Sequence, residues 1–523
     1  MKATLERLIR EALGDPQADF VVEHPTDLKM GDYSTNAAIK YRDKKEQIFE
    51  YLNNHKPEGV EKVEMVGPGF INFYLSKDFY KGSLNKIIKE GDKFGKGESL
   101  KGEKVMVEYT DPNPFKEFHI GHLMSNAIGE AISRIIEWNG AEVKRANYQG
   151  DVGIHVAKAV WGMKNGERNP YVAGAKAYED NEKSREEIEE INTKLYDRSD
   201  KELNALYDVG RKESLDKFED IYRKLGTKFD YYFFESETAP IGKKIVEENT
   251  GKVFEESDGA VVFHAEKHNP HLHTRVFINS KGLPTYEAKE LGLTKKKFET
   301  EDLDESIVIT ANEQSDYFCV VLEAVNQIYP ELRNKMMHLS HGVLKLPSGK
   351  MSSRTGEVIS AESFIEDIKG KVKDDEQVAI GAIKYMILRS NIGGDIVFDI
   401  DKSVSTEGDS GVYLQYAHAR ANSLLEKAGN RGQVTGEQGQ IREVERLLYR
   451  FPEIVERAQA EYAPHHITTY LTELAGSFNN FYAHEQVIGD SPESGYRLAI
   501  VEAVKIVLKN GLTVLGIPAP EKM

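Results

Sequence analysis

The chain has 523 residues, more than one hydrophobic core ordinarily serves, so about two to four domains are expected. Hydrophobic residues make up 40% and charged residues 30%, the balance of a soluble globular protein, and no apolar run approaches the roughly 18 residues of a membrane span. Lys and Arg number 69 against 86 Asp and Glu, a net charge of −17 that argues against a uniformly basic nucleic-acid surface but leaves room for a local basic stripe.

The single cysteine, Cys319, rules out an internal disulfide framework and a cysteine-rich zinc site, and fits a reducing cytoplasm. The opening MKATLERLIREALGD reads as an amphipathic helix, not as the charged-then-apolar layout of a signal peptide. Residues 1–91 alternate helix and strand signals, a small α+β domain ending in VEMVGPGFINFYLS around a Gly67-Pro68-Gly69 turn. The polar, glycine-rich run 92–103 reads as a linker. Next come a β-branched run at 103–110, a turn DPNPFKEF, and a helix from about His119 to Trp138 carrying Leu123, Ala127, Ala131 and Ile135 at helical spacing. With the strand signal at 142–148 these form a βαβ unit, which implies a parallel sheet of Rossmann type. A sheet domain over 92–390 is expected, with a charge-rich helical insertion at about 162–275. Further strand signals lie at 260–266, 274–288 and 306–314, and helical patterns fill 391–523.

Two segments carry chemistry. His119-Ile120-Gly121-His122 opens the first sheet helix, and its imidazoles, three residues apart, project from one face. A helix N-terminus presents unpaired N–H groups and a positive dipole end to a phosphate, and Gly121 lets a planar group approach the backbone. LPSGKMSSRTG (346–356) is a Pro/Gly-punctuated loop in which Lys350 and Arg354 flank serines, suited to closing cations over a polyphosphate. Each segment alone has a bland alternative, a capped core helix and an exposed basic loop; together they point to adenylation.

Taken as a pair, these strings resemble the two signatures of class I aminoacyl-tRNA synthetases. VEYTDPNPFKEFHIGHL, RANYQGDVG, KMSSRTGEVIS, YLQYAHARANSLL, HHITTYLTELAGSFNNFY and GLTVLGIPAPEKM are similar to the arginyl branch, in that branch's order and over nearly the whole chain. The resemblance implies an N-terminal domain touching tRNA, a Rossmann-type catalytic domain and a C-terminal all-α anticodon-binding domain. It implies ATP, with Mg²⁺ carried on it and no metal held by the protein, L-arginine and tRNA(Arg) as partners, no membrane, a monomer, and arginine activation that waits for bound tRNA.

Position by position, it places Glu108, Asn113, His119, Tyr286, Glu290 and Gln314 on the substrate arginine, Tyr286 and Gln314 being expected on later strands. A guanidinium never loses its proton and offers five planar donors, so a carboxylate with fixed acceptors suits it. His119, Gly121, His122, His341, Gly342, Lys350, Met351 and Ser352 fall to ATP, with His119, His122, Lys350 and Lys116 catalytic. In the last domain Tyr413, Tyr416 and Arg420 share one helical stripe, which serves either helix packing or stacking on anticodon bases. The chain departs from the pattern at Ser353, where a second lysine is usual and Lys116 could substitute, at Glu290 in place of aspartate, and at Val152 and His155 in place of Trp and Gln. The rival readings are a glutamyl or lysyl synthetase, a non-catalytic tRNA-binding paralogue, and a nucleotidyltransferase of the same superfamily.

Overall fold

The computed structural model describes residues 1–347, 359–429 and 434–523; Lys350, Met351, Ser352, Ser353 and Arg354 lie outside the described residues. In the opening helix Lys2–Leu13, Leu5, Leu8, Ile9, Ala12 and Leu13 are buried, and Gly14 closes it in the left-handed conformation. The helix covers a four-stranded antiparallel sheet in the order Val22–Glu23, Tyr33–Thr35, Phe70–Leu75, Val60–Val66, with its own apolar core. Helix Lys77–Glu90 turns Tyr80 toward that core and Leu84 and Ile87 toward the next one, so it joins the two units.

Residues 92–103, expected as a linker, are docked. Phe94 is 3% exposed, the N–H groups of Gly97 and Leu100 donate to the Trp138 and Asn139 carbonyls, and Asn510 Nδ2 donates to the carbonyls of Gly91 and Phe94. Glycine and polar residues signal turns, but composition cannot say whether a turn's backbone groups bond to water or to a neighbouring element.

The expected βαβ unit is present as Lys104–Glu108, Ile120–Trp138 and Glu142–Gln149, with Val105 opposite Val143 and Glu108 opposite Ala146 in parallel register. It sits at the centre of a five-stranded sheet whose spatial order is Met336–His341, Glu305–Ala311, Lys104–Glu108, Glu142–Gln149, Tyr231–Phe234, every pair parallel. The chain runs outward in one direction and returns to continue in the other. The switch point falls between Lys104–Glu108 and Glu305–Ala311, and open parallel sheets bind ligands outside the strand ends at such a point.

The stretch 162–275, expected as a helical insertion, is helical at Pro170–Asp180, Glu182–Asp197 and Lys201–Leu225. Tyr231–Phe234 instead supplies the edge strand of the main sheet, and Glu255–Ser257, Ala260–Phe263 and Arg275–Ile278 make a separate antiparallel sheet. Four aromatic residues are too short a run to show a period, and a pairing partner some eighty residues back is invisible locally.

After helix Glu376–Leu388 the chain is almost wholly helical: Gly411–Ala428, Glu443–Leu448, Phe451–Ala460, His465–His484 and Ser494–Val514. These helices share one continuous apolar core with the central sheet helix Ile120–Trp138.

The N-terminal domain is pinned to the C-terminal helices through Asp32, which is 1% exposed. Its carboxylate accepts from Arg446 Nη1 (2.7 Å), from the Leu75 N–H (2.8 Å) and from the Tyr80 hydroxyl. Beside it Tyr33 donates to Glu453 (2.6 Å), which also meets His24 Nε2. Removing one member of a buried charged network strands the others, so Asp32→Ala is expected to cost about 3–5 kcal/mol. A denaturant titration should show the loss, with the N-terminal domain released from the C-terminal helices.

Candidate active site

The central strand ends at Glu108, and the sheet helix begins at Ile120 at the switch point. The loop between them is strained. Thr110, Asp111 and Phe115 have φ of 81°, 45° and 68°, left-handed values that a β-branched threonine strongly resists. Surrounding bonds hold it in place: Thr110 N–H donates to Ser125 Oγ (3.0 Å), Asn126 Nδ2 to Thr110 Oγ1 (3.0 Å), Tyr148 N–H to Asp111 Oδ1 (2.7 Å) and Phe115 N–H to Ser214 Oγ (2.9 Å). Asn113 faces across to the next strand's end, where its Oδ1 accepts from Gly150 N–H (3.1 Å). A side chain at Gly150 would put its Cβ 2.3 Å from that oxygen, so glycine is required for the docking.

His119 is the N-cap of Ile120–Trp138. Its Nδ1 accepts from Gly121 N–H (3.1 Å), while its own N–H donates to His122 Nδ1 (3.2 Å). The rings stack at 3.8 Å between centroids. Because backbone N–H groups can only donate, both Nδ1 atoms must be bare, so each neutral ring carries its proton on Nε2. Burial first, then the charge on Lys116, lowers the pKa of His119; burial, then His119 and Lys116, lowers that of His122 well below the usual range. The helix thus presents two neutral donors at its positive end. A Cβ on Gly121 would meet His119 Cε1 at 2.9 Å, so this position cannot carry a side chain without moving the ring.

The described residues on either side of the second signature come back to the same place. Its far flank pairs with the helix opening: Ile120 N–H donates to the Ile359 carbonyl (3.4 Å), Ala361 N–H to the Phe118 carbonyl (2.7 Å), and His119 bridges to Ser360. Its near flank leaves strand Met336–His341, where His341 is buried and its Nδ1 donates to the Gly342 carbonyl (2.8 Å). A cleft of about 800 Å³ opens alongside, bounded by Lys116, Phe118, Arg168, Tyr171, Ile359 and Ser360. Lys116 lies over the Tyr171 ring at 5.5 Å, and burial lowers its pKa.

Behind the loop lies an acidic cluster. Glu108 is 2% exposed and Glu290 4%. The Nζ of Lys297, wholly buried, stands 2.6 Å from Glu108 Oε2, an ion pair by distance whose angles do not make a hydrogen bond. Among the described residues Glu290 Oε1 is buried without a hydrogen-bond partner, and burial followed by the Glu108 charge pushes its pKa up to about 8. Burial and then Glu108 also raise Asp111. Beside them Lys289 Nζ meets Glu235 Oε2 at 2.6 Å.

Tyr286 and Gln314 are not on strands. Tyr286 is the exposed first residue of helix Tyr286–Thr300, and Gln314 ends an exposed 3₁₀ turn, Asn312–Gln314, just past strand Glu305–Ala311. Tyr317, on the helix Ser315–Ile328 that follows the turn, donates to the Tyr286 carbonyl (3.0 Å). Alternating Gly, Pro and apolar residues around 282–288 mimic a strand, but Thr285 caps a helix there. His155 donates from Nε2 to the Gly150 carbonyl (2.8 Å), burial lowering its pKa to about 4, and Val152 is buried nearby. Asp111, Lys297, Lys289 and Glu235 escaped the sequence reading, since no local pattern marks a charge whose partner comes from another element.

In the C-terminal bundle Arg420 Nη1 donates to Asn479 Oδ1 (2.6 Å) and its guanidinium lies over the Tyr416 ring (4.7 Å) and the Tyr482 ring (5.5 Å). Tyr416 and Tyr482 are exposed, whereas Tyr413 is half-buried and its hydroxyl accepts from Asn479 Nδ2 (2.9 Å). One tyrosine of the stripe packs the helices, and the other joins an exposed aromatic–arginine platform that Tyr482 completes.

Paired imidazoles capping the helix at the switch point, with the second signature's flank laced to them, are the arrangement of class I aminoacyl-tRNA synthetases. The family model described as the catalytic domain of class I (R) tRNA synthetases matches residues 83–400, the arginyl-tRNA synthetase N-terminal domain matches 1–75, and the DALR anticodon binding domain matches 414–523. Among curated relatives, an arginine–tRNA ligase of Streptococcus mutans is 31% identical, covering 96% of each chain, and one of Treponema denticola is 30% identical, covering 89% of this chain and 88% of its own. The solved structure of Thermus thermophilus arginyl-tRNA synthetase superposes with a TM-score of 0.81 at 26% identity, covering 100% of both chains. The chain belongs to the arginyl-tRNA synthetase family and is a class I arginine–tRNA ligase acting in translation.

Proposed function

We propose that this chain activates L-arginine with ATP and transfers it to the 3′-terminal adenosine of tRNA(Arg), using the residues assembled at the switch point. The observation that carries the assignment of roles is the capping of one helix by two Nε2-protonated imidazoles, held against Ile359–Ala361. His119 and His122 donate to the ATP phosphates, with Gly121 leaving room at the backbone and His341 and Gly342 receiving the adenine. Lys350, with Met351 and Ser352, closes over the nucleotide, and Lys116 supplies the cation that Ser353 does not. Mg²⁺ would arrive on the phosphates and neutralise their charge.

Glu108 and Glu290 receive the guanidinium, while Asn113, Tyr286 and Gln314 hold the rest of the amino acid. The arginine carboxylate oxygen attacks the α-phosphorus and pyrophosphate leaves; catalysis lies in orientation and in charge stabilisation by preplaced donors. The terminal 2′-hydroxyl of the tRNA then attacks the arginyl carbonyl and AMP leaves. The cleft beside Lys116 receives the acceptor end, and Tyr416, Arg420 and Tyr482 stack the anticodon. In this reading the enzyme is a cytoplasmic monomer.

Charging of total tRNA with each radiolabelled amino acid tests the assignment: arginine alone should be incorporated, and incorporation of lysine or glutamate instead would overturn it. Pyrophosphate exchange should require tRNA. Tyr416→Ala should raise the KM for tRNA by about tenfold, the worth of one base stacked on an aromatic ring, with the KM for arginine unmoved.

A further inference from the structure

Lys297 is explained by nothing above. It sits seven residues beyond Glu290 on helix Tyr286–Thr300, two turns along the same face, and none of its side chain is exposed. A buried ammonium is expensive to desolvate, and a buried ion pair stabilises a fold little better than an apolar pair of the same shape. Such a pair beside the residues read as arginine ligands points to work done on the substrate.

The groups that face this point come from every element around it. Glu108 ends the central strand, Asp111 lies in the strained loop, Glu290 is on the same helix, and Glu235 heads helix Glu235–Asn249. Tyr148 and Tyr317 bring hydroxyls that feel the same carboxylates. Among the described residues the cations here are Lys297, at 2.6 Å from Glu108, Lys289, at 2.6 Å from Glu235, and Lys116, whose charge also reaches Glu235. Among the described residues Glu108 and Glu235 therefore each have an ammonium, while Glu290 and Asp111 have none in contact. The four carboxyl groups outnumber the three ammonium groups, and a guanidinium shifts that balance toward neutrality.

We propose that Lys297 is a positioning residue for the arginine site: from the core side it fixes the Glu108 carboxylate and supplies its counter-charge, so that the guanidinium meets one preset carboxylate and takes the place of a proton on the neighbouring acids. The proposal rests on the reading of Glu108 and Glu290 as guanidinium ligands. It makes arginine binding a proton-releasing event. Burial and the Glu108 charge hold the proton on Glu290 up to about 8, so near neutrality arginine must expel it. Lys297 opposes the effect of Glu108 on Glu290, so without it Glu290 holds its proton more tightly.

The test is the KM for arginine between pH 6 and 9.5 in the parent enzyme, Lys297→Met and Lys297→Arg. In the parent, KM should fall by about tenfold per pH unit below pH 8 and then level. Lys297→Met should raise KM at pH 7.5 by about tenfold or more and move the levelling point up by at least about one pH unit, with kcat reduced far less than KM. Lys297→Arg, which keeps the charge, should restore most of the profile. If Lys297→Met fails to fold, Lys297→Gln, with a polar end for Glu108, carries the same expectation. A variant that melts earlier while keeping the parent's KM profile would overturn the proposal and leave Lys297 a structural residue. Glu290→Gln separates the two layers: an unchanged arginine KM there sinks the guanidinium reading itself, whereas a raised KM there with an unmoved Lys297→Met profile sinks only the role of Lys297.

Discussion

Glu290→Gln is expected to lower kcat/KM for arginine by about a thousandfold while leaving the fold as stable as the parent or more so. The two halves of this result have one cause. Glu290 is buried, lacks a hydrogen-bond partner at Oε1 among the described residues and lies beside Glu108, so its charge is costly until a cation arrives. Arginine supplies that cation and cannot give up its proton, so a neutral glutamine leaves a buried guanidinium short of a carboxylate, at a cost of about 4 kcal/mol. Without arginine the substitution removes only an unfavourable burial.

The pH dependence of stability follows. In the folded chain Glu290 keeps its proton to about 8, whereas in the unfolded chain it releases it near the ordinary value of about 4.3. Between these values the folded state binds more protons, so this group's contribution to stability declines as pH rises. Glu290→Gln should flatten that decline in melts recorded from pH 5 to 8. A mutant that lost stability and activity in parallel would instead mark Glu290 as part of the scaffold.

The second large effect is expected at the helix cap. His122→Asn places an amide oxygen where Nδ1 accepts the His119 N–H, so the cap survives, but nothing replaces the outer N–H. Loss of one preorganised donor to developing charge typically lowers kcat by about 10²–10³, and pyrophosphate exchange in the presence of tRNA should fall by that factor with melting nearly unchanged. His122→Gln, whose amide nitrogen reaches toward the Nε2 position, should recover part of the rate. His119→Asn should behave the same way, since its Nδ1 serves Gly121 N–H. If both asparagine variants kept full exchange activity, the imidazoles would be caps and nothing more.

Much of this enzyme was legible along the chain because much of it is locally determined. The helical spacing of Leu123, Ala127, Ala131 and Ile135, the strand runs on either side and the histidines at the helix start are each set by backbone geometry within a few residues, and the structure has the βαβ unit and its two histidines where the spacing put them. The family strings extend that reading to Glu108 and Glu290 as positions. What these carboxylates do to each other was not legible. Glu108 meets Lys297 only because strand and helix are packed together by the sheet, and Glu290's shifted proton affinity is a property of that packing.

The same division holds elsewhere. Tyr231–Phe234 looked like part of a helical insertion and became an edge strand, residues 92–103 looked like a tether and became a docked connector, and Tyr482 entered the Tyr416–Arg420 platform from a helix beginning more than forty residues further on. Turns, caps and periodicity are written in neighbouring residues, since a few dihedral angles and side chains decide them. Which charge faces which, and how tightly each holds its proton, depends on burial and on distances between elements far apart in the chain; both come into being only when the elements pack, and no window of sequence contains them.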